Sequence, residues 1–133
     1  MDTMFFENRS RYGFEETQQR LADVALENGW KVIQTLDLQE TMRKNGKVVL
    51  PVKVVELCKP DYAYQLLSED ALRIYANMMP CRIAVYQKTD GETYLSRMNA
   101  AMFAAEIGGV MQDVMGAAFT DAEGFIKQLA AKE

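Results

Sequence analysis

The sequence predicts an α+β domain: an antiparallel sheet with helices packed on one face. Three observations carry that expectation. The middle of the chain holds alternating apolar segments joined closely enough to pair antiparallel, each alternation leaves one face that helices must cover, and segments of three- and four-residue apolar spacing stand on either side. The 133 residues match one domain, read here as residues 1–133, and a chain of that size buries about two thirds of its unfolded surface. With 49% hydrophobic and 26% charged residues, the balance is that of a globular chain rather than a disordered one.

Residues 4–11 read as a first strand, although charges interrupt it. Phe14, Thr17, Leu21, Val24 and Ala25 then form one helical stripe, Glu15 and Glu16 favour its first turn, and Asn28-Gly29 supplies a left-handed stop. Residues 30–36 alternate, with Val32 and Leu36 expected on one face, and Asp37 with Glu40 resembles a capping box for a short helix ended by Asn45-Gly46. The Val-rich residues 47–58 read as a long strand, placed at an edge or bulged where Pro51 lacks an N–H.

Pro60 suits the first position of the next helix, and Ala63, Leu67, Ala71, Ile74 and Met78 continue an apolar stripe, with Ser68 as a restart cap. Residues 81–87 alternate again, and the two-residue turn signal Asp90-Gly91 predicts a hairpin running to Met98. Asn99 caps a helix through Met102, Ile107, Val110 and Val114, kinked at Gly108-Gly109. Thr120 with Glu123 then caps a final helix bearing Ala122, Phe125, Ile126 and Leu129.

Composition excludes several functions. A net charge of −4 with scattered Lys and Arg gives no electrostatic footprint for nucleic acid. Residues 1–7 lack the basic start and apolar stretch of a secretory signal, and no segment reaches transmembrane length. A cytoplasmic setting is expected, without a membrane partner, and there two cysteines rest as thiols. No histidine is present, so acid–base catalysis at neutral pH would need a carboxylate, lysine or thiol of shifted pKa. No phosphate loop, serine elbow or metalloprotease signature appears. No catalytic residue and no metal site is assigned, and the cofactor is left unknown.

The distinctive chemistry is confined to Cys58 and Cys81, each near a proline in Cys58-Lys59-Pro60 and Pro80-Cys81. If the strand ending at Cys58 and the strand beginning at Cys81 are antiparallel neighbours, both sulfurs reach one rim of the sheet. Cys58 would also precede a helix start, where Lys59 and the dipole favour thiolate and a lowered pKa. Two readings follow: buried, inert thiols, or a ligand or redox site built on the pair, including a soft metal or haem. Two thiolates alone do not complete a closed zinc site. Glu56 stands near the same rim and reads as solvated. Lys59 and Arg82 read as surface cations, Tyr62, Tyr64 and Tyr75 as packing residues, and Met98, Met102, Met111 and Met115 as core or dimer contacts.

Phe14-Glu15-Glu16-Thr17, Glu27-Asn28-Gly29-Trp30, Cys58-Lys59-Pro60-Asp61-Tyr62-Ala63 and the run from Met79-Pro80-Cys81 to Tyr86 together resemble the domain of unknown function 302 family, over nearly the whole chain. The resemblance implies a strongly curved antiparallel sheet similar to the TATA-box-binding-protein-like arrangement, and homodimers. It implies no reaction, and likeness to a DNA-binding fold is no argument for DNA binding. The expected function is a non-catalytic binding or accessory module with a small-molecule site at the Cys58/Cys81 rim. The alternative is a thiol-dependent redox enzyme or a soft-metal or haem protein using the same residues.

Overall fold

The structure, a computed structural model, describes residues 4–132. Five antiparallel strands, β1 (Phe5–Arg9), β2 (Lys31–Asp37), β3 (Val52–Cys58), β4 (Cys81–Gln87) and β5 (Thr93–Met98), form one open sheet in the order β1-β5-β4-β3-β2. The helices are α1 (Phe14–Glu27), α2 (Leu38–Lys44), α3 (Pro60–Leu67), α4 (Ala100–Ile107) and α5 (Gly109–Leu129), with a 3-10 helix over Asp70–Met78. The α+β class and the antiparallel sheet are as expected.

One sheet face carries the main core. Val55, Leu57, Ile83, Val85 and Leu95 meet Leu21, Val24 and Ala25 of α1 and Ala118, Ala122, Phe125 and Ile126 of α5, with Trp30 between them. A second cluster joins Leu66 of α3 and Ala104 of α4 to Met111, Val114 and Met115 of α5. Burying each such side chain stabilises by roughly 1.5–3 kcal/mol. The stripe of α1 is as its spacing predicts, and Asp37 caps α2 by accepting the Glu40 N–H at 3.0 Å.

Several expectations are corrected. The third strand begins at Val52 rather than Lys47, and Val48 is 96% exposed: the valines before Pro51 have no neighbouring strand to pack on. A bulge between Val32 and Gln34 reverses the pleat of β2, so Val32 faces Leu57 in the core while Leu36 pairs with Val54 on the opposite face. After Pro60 the buried residue is Leu66, whereas Ile74 is 70% exposed. Ser68 ends α3, and the tighter 3-10 winding that follows breaks the 3.6-residue stripe. Thr120 lies inside α5 and donates its hydroxyl to the Gly116 carbonyl at 3.0 Å, so the last helix runs unbroken from Gly109; the interruption falls at Gly108, whose φ of 74° only glycine adopts freely. The hairpin loop is closed by a Lys88 N–H to Glu92 carbonyl bond at 3.1 Å and so holds three residues rather than two.

Arg97 fastens the sheet to α5. Its guanidinium donates twice to Glu123, at 2.6 Å each, donates also to Asn8, and lies 5.4 Å over the Phe6 ring, with only 9% of the side chain exposed. Glu123→Ala strands a nearly buried cation, and a destabilisation of about 2–3 kcal/mol is expected. Urea denaturation checks it as a lowered midpoint at unchanged slope.

Candidate functional site

Strand pairing itself creates an opening near the thiols. Consecutive residues of an antiparallel strand direct their N–H and C=O groups to alternate neighbours. Gln87 donates to the Pro51 carbonyl on the β3 side at 3.0 Å, so Tyr86, Ala84 and Arg82 turn their main-chain groups toward β5. Ser10 donates to the Thr93 carbonyl at 2.7 Å, so Tyr94, Ser96 and Met98 turn toward β4. The pairs Tyr86–Tyr94 and Ala84–Ser96 form, but the register stops there and Arg82–Met98 does not follow. Beyond Ala84 the two strands part, β4 staying with β3 and β5 with β1.

The split opens into a cleft of about 400 Å³. Phe5, Val54, Ala84 and Met98 line it from the open side of the sheet, Cys81 and Ile83 from the core side, and Met115, Ala118 and Phe119 of α5 close its end. Its surface is mainly apolar. Both arginines on its wall are already paired, Arg97 with Glu123 and Arg82 with Glu56.

A smaller cavity of about 30 Å³ lies on the other side of the Pro80-Cys81 segment. Cys58 and Cys81 both line it, with Trp30, Tyr62, Leu66 and Met79. The expected neighbouring of β3 and β4 is present, and Cys81 stands opposite Leu57, one residue out of step with Cys58. The two thiols are free. Pro80, Cys81, Met115 and Ala118 belong to both openings, so the Cys81 segment is their common wall.

The expected lowering of the Cys58 thiol pKa is not found. Burial pushes Cys58 up, and burial together with the nearby Cys58 thiol pushes Cys81 from 9.0 to about 11. The positive end of α3 and the neighbouring Lys59 do not outweigh removal from water.

Glu56 is not solvated. It is 3% exposed on the sheet face opposite the core, where it accepts hydrogen bonds from Gln34 Nε2 at 2.6 Å and Arg82 Nε at 2.8 Å; these hold its carboxyl below the ordinary range. Lys59 lies 5.1 Å over the Tyr62 ring rather than standing as a bare surface cation. Tyr62 faces the small cavity and donates to Asp121 Oδ2 at 3.2 Å, and Trp30 Nε1 donates to the same oxygen at 3.1 Å. Tyr64 is 72% exposed. Met111 and Met115 are core, while Met98 lines the cleft.

Asp121 and the cleft itself were not anticipated. Asp121 carries no motif, and its role follows from two donors brought together, Tyr62 on α3 and Trp30 just before β2. The hairpin signal at Asp90-Gly91 fixes that β4 and β5 pair but is silent on where they stop. Among the described residues no three carboxylates or thiols gather as a metal site, and no helix is long and apolar enough to cross a membrane.

The family profile described as Domain of unknown function DUF302 matches residues 6–129. The crystal structure of an uncharacterized conserved protein DUF302 from Bacillus stearothermophilus superposes with a TM-score of 0.84 at 18% identity, covering 96% of this chain and 99% of that one. At that identity the likeness establishes the fold alone. Neither finding bears on the expected likeness to the TATA-box-binding protein. No curated protein matches the chain.

The raised Cys81 pKa has a signed consequence for stability. The folded state favours the protonated thiol, so this contribution is whole below pH 9 and is lost as pH rises toward 11. Melting temperature is expected to fall across that window more steeply in the natural chain than in Cys81→Ser. Equal slopes in the two proteins would remove Cys81 as the cause.

Proposed function

This chain belongs to the domain of unknown function DUF302 family, and from that premise we propose that it is a non-catalytic binding module for a small apolar molecule, held in the cleft between β4 and β5 with Cys81 on its wall. The observation that carries the reading is an apolar opening of about 400 Å³ where the central strands of the sheet part. That volume lies within the range of small-ligand pockets, and burial of apolar surface supplies the driving force. Because Arg82 and Arg97 are neutralised by Glu56 and Glu123, the cleft favours an uncharged occupant over an anion.

The rim at Cys58 and Cys81 enters as the back wall of this site. Thiols held protonated at neutral pH serve a wall better than they serve exchange, since the thiolate is the nucleophile. The redox reading has less support for that reason. A soft metal or haem iron held by both sulfurs has less support too, since among the described residues no third Cys, Asp or Glu gathers with them. In this proposal the module works in the cytoplasm as a homodimer, the state that resemblance to the family implies.

Titration with N-phenyl-1-naphthylamine, an uncharged fluorescent probe, tests the site. One probe per chain is expected to bind with a blue-shifted emission. Ala100→Trp, at the half-buried first position of α4 on the cleft wall, is expected to weaken binding by about tenfold or more at unchanged melting temperature. Equal binding by both proteins would place the probe elsewhere and defeat the proposal.

A further inference from the structure

We propose that the ligand of the cleft carries a carboxamide group, read by the main chain of Met98 and Arg82; this rests on the cleft being the binding site and names the chemical class it takes. In the antiparallel ladder the next rung after Ala84–Ser96 would be the Arg82–Met98 pair, whose two bonds include one from the Met98 N–H to the Arg82 carbonyl. Ala84 and Ser96 are a hydrogen-bonded pair, because Lys88–Glu92 and Tyr86–Tyr94 fix the alternation, and a Met98-to-Arg82 bond beside it would extend the register to Ile83–Arg97. The register does not extend. Met98 and Arg82 each turn both main-chain groups into the split, so two donors and two acceptors face it, with the Met98 N–H opposite the Arg82 carbonyl.

Both residues line the cleft, whose remaining surface is mainly apolar. A main-chain donor or acceptor removed from water without a partner is unfavourable, so an occupant that displaces water here gains by replacing both bonds. An amide does so with one group: its carbonyl accepts from Met98 and its N–H donates to Arg82. An ester or ether of the same length supplies only the acceptor and leaves the Arg82 carbonyl bare. A carboxylate can accept from the N–H groups but supplies no donor at all, and it repels both carbonyls. The charged side chains do not decide the matter, because Arg82 is held by Glu56 at 2.8 Å and Arg97 by Glu123 at 2.6 Å. Recognition passes to the main chain, with selectivity by the pairing of donor and acceptor and affinity by the apolar walls.

The surroundings suit a short chain ending in such a group. Phe5, Val54 and Ala84 on one side, and Ala118 and Phe119 on the other, give it apolar contact. Met98 also sits where the fold has no other use for its N–H: Asn99 donates to Met4 on the β1 side at 2.7 Å, so β5 remains anchored without it.

Calorimetric titration of the full chain with octanamide and with methyl octanoate tests the inference. Octanamide is expected to bind about tenfold more tightly, the difference made by the second hydrogen bond and the carbonyl it satisfies. Met98→Pro, which deletes the facing N–H, is expected to weaken octanamide binding several-fold. Should that variant fail to fold, amide resonances of the unaltered protein give the same answer, the Met98 N–H moving downfield with octanamide. Equal affinities for the two probes, or an unmoved Met98 resonance, would overturn the carboxamide assignment while leaving the cleft a binding site. Failure of both probes to bind would overturn the cleft itself.

Discussion

The arrangement depends on how β5 divides its hydrogen bonds between two neighbours. Its groups toward β1 are used along the whole strand, from the Ser10 bond to Thr93 through the Asn99 bond to Met4. Its groups toward β4 are used only to Ser96. A sheet that completed both ladders would have no cleft. Each hydrogen bond of the forgone rung has a net worth of only about 1 kcal/mol, against roughly 1.5–3 kcal/mol for each large side chain buried on the core face, so the split is a small concession within the fold.

Three features keep the strands from closing it. Arg97, the first residue past the shared ladder, commits its guanidinium to Glu123 on α5 and to Asn8 on β1, which holds β5 on that side. Asn99 then turns the chain into α4 by accepting the Met102 N–H. On the other bank, β4 is kept by β3 through Cys81 opposite Leu57 and Ile83 opposite Val55. Packing of both banks on α5 sets the width of the opening.

Much of this fold was legible because local rules and tertiary packing agree. The stripe on α1, the stop at Gly29, the cap at Asp37 and the hairpin at Asp90-Gly91 each follow from nearby residues. The misread elements lie where the deciding neighbour is distant. Val48 has strand chemistry but no strand beside it, Leu36 is turned over by a bulge that no residue type announces, and Thr120 fits a cap yet lies inside a helix that α1, α3 and the sheet hold continuous. The neighbouring of Cys58 and Cys81 was readable from strand order. Their offset of one residue was not, because register is set by the whole ladder, and neither was the end of the β4–β5 ladder.

The thiols show how one position answers differently to local and to global physics. Proximity to the start of α3 and to Lys59 argues for a thiolate at Cys58, whereas the cavity shared with Trp30, Tyr62 and Leu66 argues for a neutral group. Burial prevails, as the raised values at both cysteines show. A neutral thiol packs as a small apolar side chain. Placed between the large cleft and the small cavity, Cys81 therefore forms an apolar wall common to both, and a low-dielectric wall would strengthen the hydrogen bonds that the proposed occupant makes to the main chain beside it. The burial that makes this pair poor at exchange chemistry is the same property that gives the proposed ligand site an apolar wall.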